Sequence, residues 1–291
     1  MTAALERQPA LVELSEAHLD GATALSGALG WPHRREDWSL MRCVGHGVAA
    51  VEADGTLVGT ALRWSYGARA ATVGLVIVAT SRQRQGLGRR LMDAVLADAG
   101  SAAVMLNATA AGAPLYRAMG FEPTGIIRQY QGALDQGAAA GDAALSPSSD
   151  LLVRRGDAGD HAAIMRLDEQ AFGAPRRALF DALLDDAEIA MLGAPGADAG
   201  YAVRRRFGRG LLIGPVVAPD EAAAMALIGY WLDRSEGFVR IDVPADADHL
   251  GALLRRAGLA PVGDAVTMVR GDWPVRAPSA RTFALASQAL G

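Results

Sequence analysis

The stretch of this chain best suited to chemistry is Gln83-Arg84-Gln85-Gly86-Leu87-Gly88. It follows an apolar run ending in Val76-Ile77-Val78 and opens a helical pattern. Glycines let main-chain N–H groups turn towards an anion with no Cβ in the way, and a helix start adds a partial positive charge. Arg82, Arg84 and Arg89 place cationic side chains beside the loop. A diphosphate is a sensible guest, although the same residues also fit a plain strand-to-helix turn. The loop lacks the Lys-Ser/Thr ending of a P-loop, and it lacks one glycine of the dinucleotide fingerprint.

Two further residues place polar groups in or at the end of predicted elements. Tyr116 stands in "APLYRAMGF", and a phenol of pKa about 10 can donate to a basic leaving group. Asn107 ends the apolar run "AAVMLN" and offers both a donor and an acceptor. Possible bases in the first part of the chain are His33, Glu36, Asp37, His46 and Glu52; a chain of water is the alternative.

The elements that must position these residues follow from periodicity and turn signals. "LVELS" predicts a strand, and "EAHLDGATALSGAL" a helix stopping at Gly30. Alternating runs around Asp54-Gly55 predict a hairpin. "ATVGLVIVA", apolar on both faces, predicts a central strand. Leu87, Leu91 and Val95, with Met92 and Leu96, form one helical stripe. "AAVMLNAT" is a strand, "APLYRAMGF" a short helix with Pro114 in its first turn, and "TGIIRQYQG" a last strand. From Leu151 the same order recurs, from "DLLVRRG" to "DAVTMVRG", which suggests tandem copies of one fold. The Gly-, Ala- and Ser-rich segment between them predicts a linker over 133–150. The expected organisation is a first domain at 1–132 and a second at 151–291.

Composition narrows the function classes. Net charge is −4 over 291 residues, which suggests neither a nucleic-acid nor a membrane surface. All 28 basic residues are Arg. The single cysteine, Cys43, excludes an intrachain disulfide and is expected to be a small buried hydrophobe. The start of the chain does not read as a signal peptide, and no apolar run approaches the roughly 18 residues of a membrane span. A cytoplasmic protein is the expectation.

Together the loop, its strand–helix context and "LNAT…APLYRAMGF" resemble the GNAT superfamily of acyl-CoA-dependent N-acetyltransferases. Gln83-x-x-Gly86-x-Gly88 after "GLVIV" fits the family's loop, and Tyr116 and Gly120-Phe121 fit its later landmark. With "GWPHRREDW", "DEQAFGAPRR" and "GPVVA", the chain is similar to a subfamily whose second domain is itself acetyltransferase-like. The resemblance implies an α/β (α+β) fold of two tandem GNAT domains, each a mixed central sheet flanked by helices. It implies acetyl-CoA as cosubstrate, with no metal, and direct transfer to a primary amine of a small molecule or peptide. A non-catalytic acetyl-CoA sensor and a protein-lysine acetyltransferase are the rival readings. It also implies that the main chain from Gln83 through Arg84, Gln85, Gly86, Leu87 and Gly88, with Arg89, holds the diphosphate. Pantetheine would run along Val76, Ile77 and Val78, with Asn107 beside it, and Tyr116 would be the general acid. Trp31, His33, Asp37, Trp64 and Tyr66 fall in segments that wall the acceptor site in this fold. The family's carboxylate on the central strand is missing from "TVGLVIV".

The second copy has lost these features. Its counterpart of the loop is "APDEAAAM", in which both glycines are gone and Asp220 and Glu221 stand at the helix start, and Leu254 stands at the place of Tyr116. Acids at a helix start satisfy its dipole and repel a diphosphate. The second copy is therefore expected to shape the acceptor pocket, with Asp168, Arg176 and Asp242 as its polar candidates.

Overall fold

The computed structural model describes residues 8–97, 99–134 and 152–291, so all but the first two residues of the expected linker lie outside it. The chain divides into two compact units, Met1–Ser65 with Val73–Gly100, and Tyr66–Thr72 with Ser101–Gly291. Among the described residues no helix is long and apolar enough to cross a membrane.

The first unit contains β1 (Ala10–Glu13), α1 (Leu19–Ala28), α2 (Arg35–Cys43), β2 (His46–Val51), all but the last residue of β3 (Leu57–Tyr66), residues 73–78 of β4 (Ala70–Val78) and α3 (Leu87–Leu96). Its strands lie in the order β1-β2-β3-β4. The β2–β3 turn closes as its sequence requires: Gly55 has φ +89°, and the Asp54 carboxylate accepts the Thr56 N–H at 2.9 Å. The stripe Leu87, Leu91, Met92, Val95 and Leu96 is buried. A Cβ on Gly59 of β3 would stand 2.9 Å from the Leu91 side chain, so glycine there lets α3 lie close to the sheet.

No helix is expected at Arg35–Cys43, yet α2 forms there. The Arg34 N–H donates to the Asp37 carboxylate at 2.8 Å, which stabilises the helix start. Its charged residues mask a periodicity carried by Trp38 and Met41 alone. Cys43, at the end of α2, is exposed rather than buried.

The second unit contains β5 (Ala103–Ala108), α4 (Ala113–Arg117), β6 (Glu122–Leu134), β7 (Val153–Arg155), α5 (His161–Phe172), α6 (Arg177–Leu183), β8 (Glu188–Leu192), β9 (Gly200–Phe207) and β10 (Gly210–Ala218). It continues with α7 (Glu221–Leu232), β11 (Gly237–Pro244), α8 (Asp248–Arg256), β12 (Ala260–Arg270) and β13 (Arg281–Ala284). The strand order is β5-β12-β6-β11-β10-β9-β8-β7. The final strands of the two repeats are thus exchanged. β12, which ends the second repeat, pairs antiparallel with β5 of the first, Val104 facing Arg270. β6, which ends the first, pairs with β12 on one side and with β11 of the second repeat on the other.

Like α2 and α6, β13 is an element that periodicity did not announce. β10 runs parallel to β11 only at Leu211 and Leu212. Beyond them β9 holds one edge of β10, while β13 pairs with the other over Val216–Ala218. The Leu285 N–H then donates to the main-chain oxygen of Asp242 in β11 at 2.9 Å. β13 therefore occupies the wedge where β10 and β11 part.

Candidate active site

In the first unit, β4 does not run straight. Leu75 sits at φ +49°, a conformation uncommon for a branched side chain, and the Thr60 hydroxyl donates to its carbonyl at 2.8 Å. Val76, Ile77 and Val78 follow this left-handed residue directly. No periodicity signals it; Gly74 beside it is the single hint in the sequence.

The loop after β4 leaves the start of α3 uncapped. Arg84 has φ +60° and Gly86 φ +80°, so left-handed residues bend the main chain just before α3. Gly86 is the N-cap, no side chain caps the helix, and its first turn holds no acid. Among the described residues, the N–H groups of Gly86, Leu87 and Gly88 make no hydrogen bond. Helix starts normally satisfy these donors with side chains, water or ligand. Gln83 and Gln85 brace the loop by donating to the carbonyls of Val78 and Ser81, both at 3.1 Å. Arg82 is paired with Glu52 at 2.6 Å, which takes that carboxylate out of use as a free base. Arg89 is half-exposed, 3.9 Å from Asp93.

The corresponding start of α7 is closed. Asp220 accepts the Ala223 N–H at 2.8 Å, and Glu221 accepts the Leu250 N–H at 2.8 Å. Both acids are thus structural, and the wedge beside β10 is filled by β13.

Other candidates of the first unit are placed as follows. Trp64 is fully buried, and its indole N–H donates to the Met41 carbonyl at 2.8 Å, so it packs in the core. His33 lies edge-on to Trp31 and Trp38, at centroid distances of 6.3 and 6.0 Å. Asp37 is buried and held by the Arg34 guanidinium at 2.7 Å, beside the main-chain contact at the start of α2. Glu36 and His46 are exposed.

In the second unit, Tyr116 is buried on α4 and packs edge-on against Phe121 at 6.1 Å. Gly112 makes room for it, since a Cβ there would stand 3.0 Å from the Tyr116 ring. Burial pushes its phenol up to about 12, so it keeps its proton at neutral pH. Asn107 lies in the wall of a cavity of about 1200 Å³, with Met105, Phe172, Thr267 and Trp273. Its Nδ2 donates to the Gln288 carbonyl at 2.8 Å, and its Oδ1 accepts from the Thr267 hydroxyl at 2.7 Å. Tyr66, also buried, donates to the Leu290 carbonyl at 3.1 Å, and desolvation raises its phenol to about 12. Asp168, Arg176 and Tyr201 form one buried cluster: Arg176 meets the Asp168 carboxylate at 2.6 and 2.9 Å, and Tyr201 donates to it at 2.6 Å. Asp242 is buried and paired with Arg240 at 2.8 Å.

Three tyrosines therefore carry phenols raised by desolvation: Tyr66, Tyr116 and, well above the ordinary value, Tyr201. A phenol whose folded pKa exceeds its unfolded value of about 10 stabilises the fold below that pH and loses its contribution as pH rises through the folded value. The unfolding free energy should hold to about pH 10 and then fall, by up to about 1.4 kcal/mol per pH unit for each such group. Absorbance at 295 nm checks this. Ionisation of all five tyrosines near pH 10 in the folded protein would contradict the burial argument.

Known proteins give the same picture of two related halves. Residues 44–136 and residues 164–284 each match a family model described as an acetyltransferase (GNAT) domain. Over 288 residues the chain is 29% identical to the uncharacterized N-acetyltransferase YitH of Bacillus subtilis (strain 168), covering 97% of this chain and 98% of the relative. A candidate acetyltransferase of Pyrococcus horikoshii has a similar fold, with a TM-score of 0.77 at 16% identity over 100% of this chain and 98% of that one. A tandem GNAT protein from the clavulanic acid biosynthesis pathway has a TM-score of 0.61 at 16% identity, over 89% and 97%.

Proposed function

Since the chain belongs to the GNAT acetyltransferases, as a tandem member and an acyltransferase, we propose that it carries one working acetyl-CoA site, in its N-terminal repeat, and acetylates a primary amine of a small molecule or peptide. The observation that carries this reading is the contrast between the two helix starts. α3 presents unpartnered N–H groups without a carboxylate, whereas α7 is capped by Asp220. On this reading the catalytic repeat spans 1–132, and 151–291 is the degenerate copy.

Acetyl-CoA supplies a thioester whose acetyl carbon the amine attacks. The residues of the chain hold and steer it. The main chain from Gln83 to Gly88 takes the diphosphate on oriented N–H groups at the positive end of α3, with Arg89 alongside. Val76–Val78, just after the left-handed Leu75, offer main-chain groups to the amide arm in strand fashion. The cavity beside Asn107 is the seat for the acceptor. Tyr116 gives its proton to the departing sulfur as the C–S bond breaks, and the proton shed by the attacking nitrogen passes through water to restore the phenol. Its raised pKa keeps that proton in place up to alkaline pH.

The test is titration calorimetry with acetyl-CoA, followed by thiol release over a panel of amines. One acetyl-CoA should bind per chain, and at least one amine should drive turnover. A stoichiometry of two would contradict the closed second copy. No heat at all would remove the site. Tyr116→Phe should lower kcat by about 10²-fold, the low end for a positioned general acid, and leave acetyl-CoA affinity unchanged. A variant with full kcat would show that another group protonates the leaving sulfur.

A further inference from the structure

Asp168, Arg176 and Asp242 lie on different elements of the second repeat, and all three bear on one segment, 285–291. Arg176 turns two nitrogens to Asp168 and its third, Nη1, to the carbonyls of Leu290 and Gly291, at 3.1 and 2.8 Å. Tyr66 donates to the same Leu290 carbonyl, and Arg205 to that of Ala286 at 2.9 Å. The main-chain oxygen of Asp242 takes the Leu285 N–H, and its carboxylate stands 3.4 Å from the Gln288 side-chain amide. Each of these contacts fixes the path of the segment, and none reaches into the cavity.

The segment meets the first repeat at Tyr66, at Gln129, which accepts from the Gln288 side-chain amide at 3.3 Å, and at Asn107, which lines the cavity. The Gln288 carbonyl accepts from Asn107 Nδ2, while Thr267, on the exchanged strand β12, donates to Asn107 Oδ1. The two ends of a carboxamide are not interchangeable. Nδ2 must face the carbonyl, so Oδ1 faces the hydroxyl, and Thr267 must be the donor. Asn107 is thereby locked in one orientation. One hydrogen on Nδ2 and one lone pair on Oδ1 remain for a ligand at the cavity wall.

We infer that the second repeat serves acyl transfer by positioning Asn107. Thr267 and the 285–291 segment set the direction of its free N–H, and Arg176, Asp168 and Tyr66 keep the segment in place. This rests on the reading that Asn107 works at the acyl-transfer site. A donor held by groups that are themselves fixed needs no reorganisation when substrate arrives. Small misplacements of such a donor are expensive in rate, up to about 10²-fold per 1 Å.

The test is a double-mutant cycle in the full chain. Thr267→Val should lower kcat about 10-fold, well within that range, with the KM for acetyl-CoA nearly unchanged. Thr267→Ser, which keeps the donor, should recover most of the rate. On an Asn107→Ala background, Thr267→Val should have no further effect, because the residue it orients is gone. Equal losses in the two backgrounds, or full activity of Thr267→Val beside an impaired Asn107→Ala, would overturn the positioning role. Full activity of Asn107→Ala would overturn the underlying reading as well, while calorimetry with acetyl-CoA would still report whether the chain binds the cosubstrate. Should Thr267→Val be insoluble, Tyr66→Phe replaces it in the same cycle, with a loss of about 3-fold expected from one anchor among several and the same coupling to Asn107.

Discussion

Residues 1–150 expressed alone should not give a monomeric, cooperatively melting domain, and neither should residues 151–291. Expressed together, the two pieces should reassemble and recover acetyl transfer. The cause is the exchange of final strands. Without the second repeat, β5 loses β12 along Val104–Ala108, and β6 loses β12 and β11 together. Each buried main-chain group left without a partner costs about 1–3 kcal/mol, against a total stability of about 5–15 kcal/mol for a typical domain. A handful of orphaned groups is enough to unfold the piece. Buried side chains go with the ladder. Tyr130 of β6 packs in the same core cluster as Leu250, Leu253 and Leu254 of α8, and its hydroxyl accepts from Arg255 at 3.0 Å. The check is size-exclusion chromatography and thermal melting of each piece. A monomeric 1–150 fragment with a sharp transition would show that β6 can fold back on β5 and that the exchange is dispensable.

Gly86→Asp combined with Gly88→Asp should reduce acetyl-CoA affinity by at least about 10²-fold while the protein still folds. Two effects can be separated at Gly86. No atom lies within 4 Å of a Cβ built there, so a side chain meets no clash, but φ +80° disfavours any residue other than glycine. Gly86→Ala therefore carries the backbone strain alone, about 1–2 kcal/mol. The aspartates add carboxylates that accept the free N–H groups and repel a diphosphate, and the second repeat already shows such a cap in Asp220. The expected order of affinity is wild type, Gly86→Ala, then the double aspartate variant, read by calorimetry with melting curves as the fold control. Unaltered binding by the double variant would remove the diphosphate from this loop.

Most of the local structure was legible. The α3 stripe, the Asp54-Gly55 turn, the short helix opened by Pro114 and the doubled order of elements all follow from periods of 3.6 and 2 and from turn chemistry, which act over a few residues. The candidate site was legible where its chemistry is main-chain and local. Two glycines before a helix with no acid in its first turn already describe an open anion cradle, and "APDEAAAM" describes a closed one.

Three features came from tertiary structure alone. The left-handed turn of Leu75 goes with a hydrogen bond from Thr60, fifteen residues away along the chain. The exchange of β6 and β12 could not be read, because an amphipathic final strand has the same pattern whichever repeat it completes; pairing choice is a non-local competition between sheet edges. The roles of Asp168, Arg176 and Asp242 likewise depended on where residues 285–291 run. As a sequence, "LASQALG" carries no regular period, and its order comes from buried guanidinium, phenol and amide groups that reach its main chain across more than a hundred residues. By itself the sequence determined what kind of protein this is and which repeat kept an open cradle, because those rest on local backbone chemistry. Tertiary structure decided that the repeats share their strands and that the second closes its wedge with β13 and braces Asn107, because those rest on partners distant along the chain.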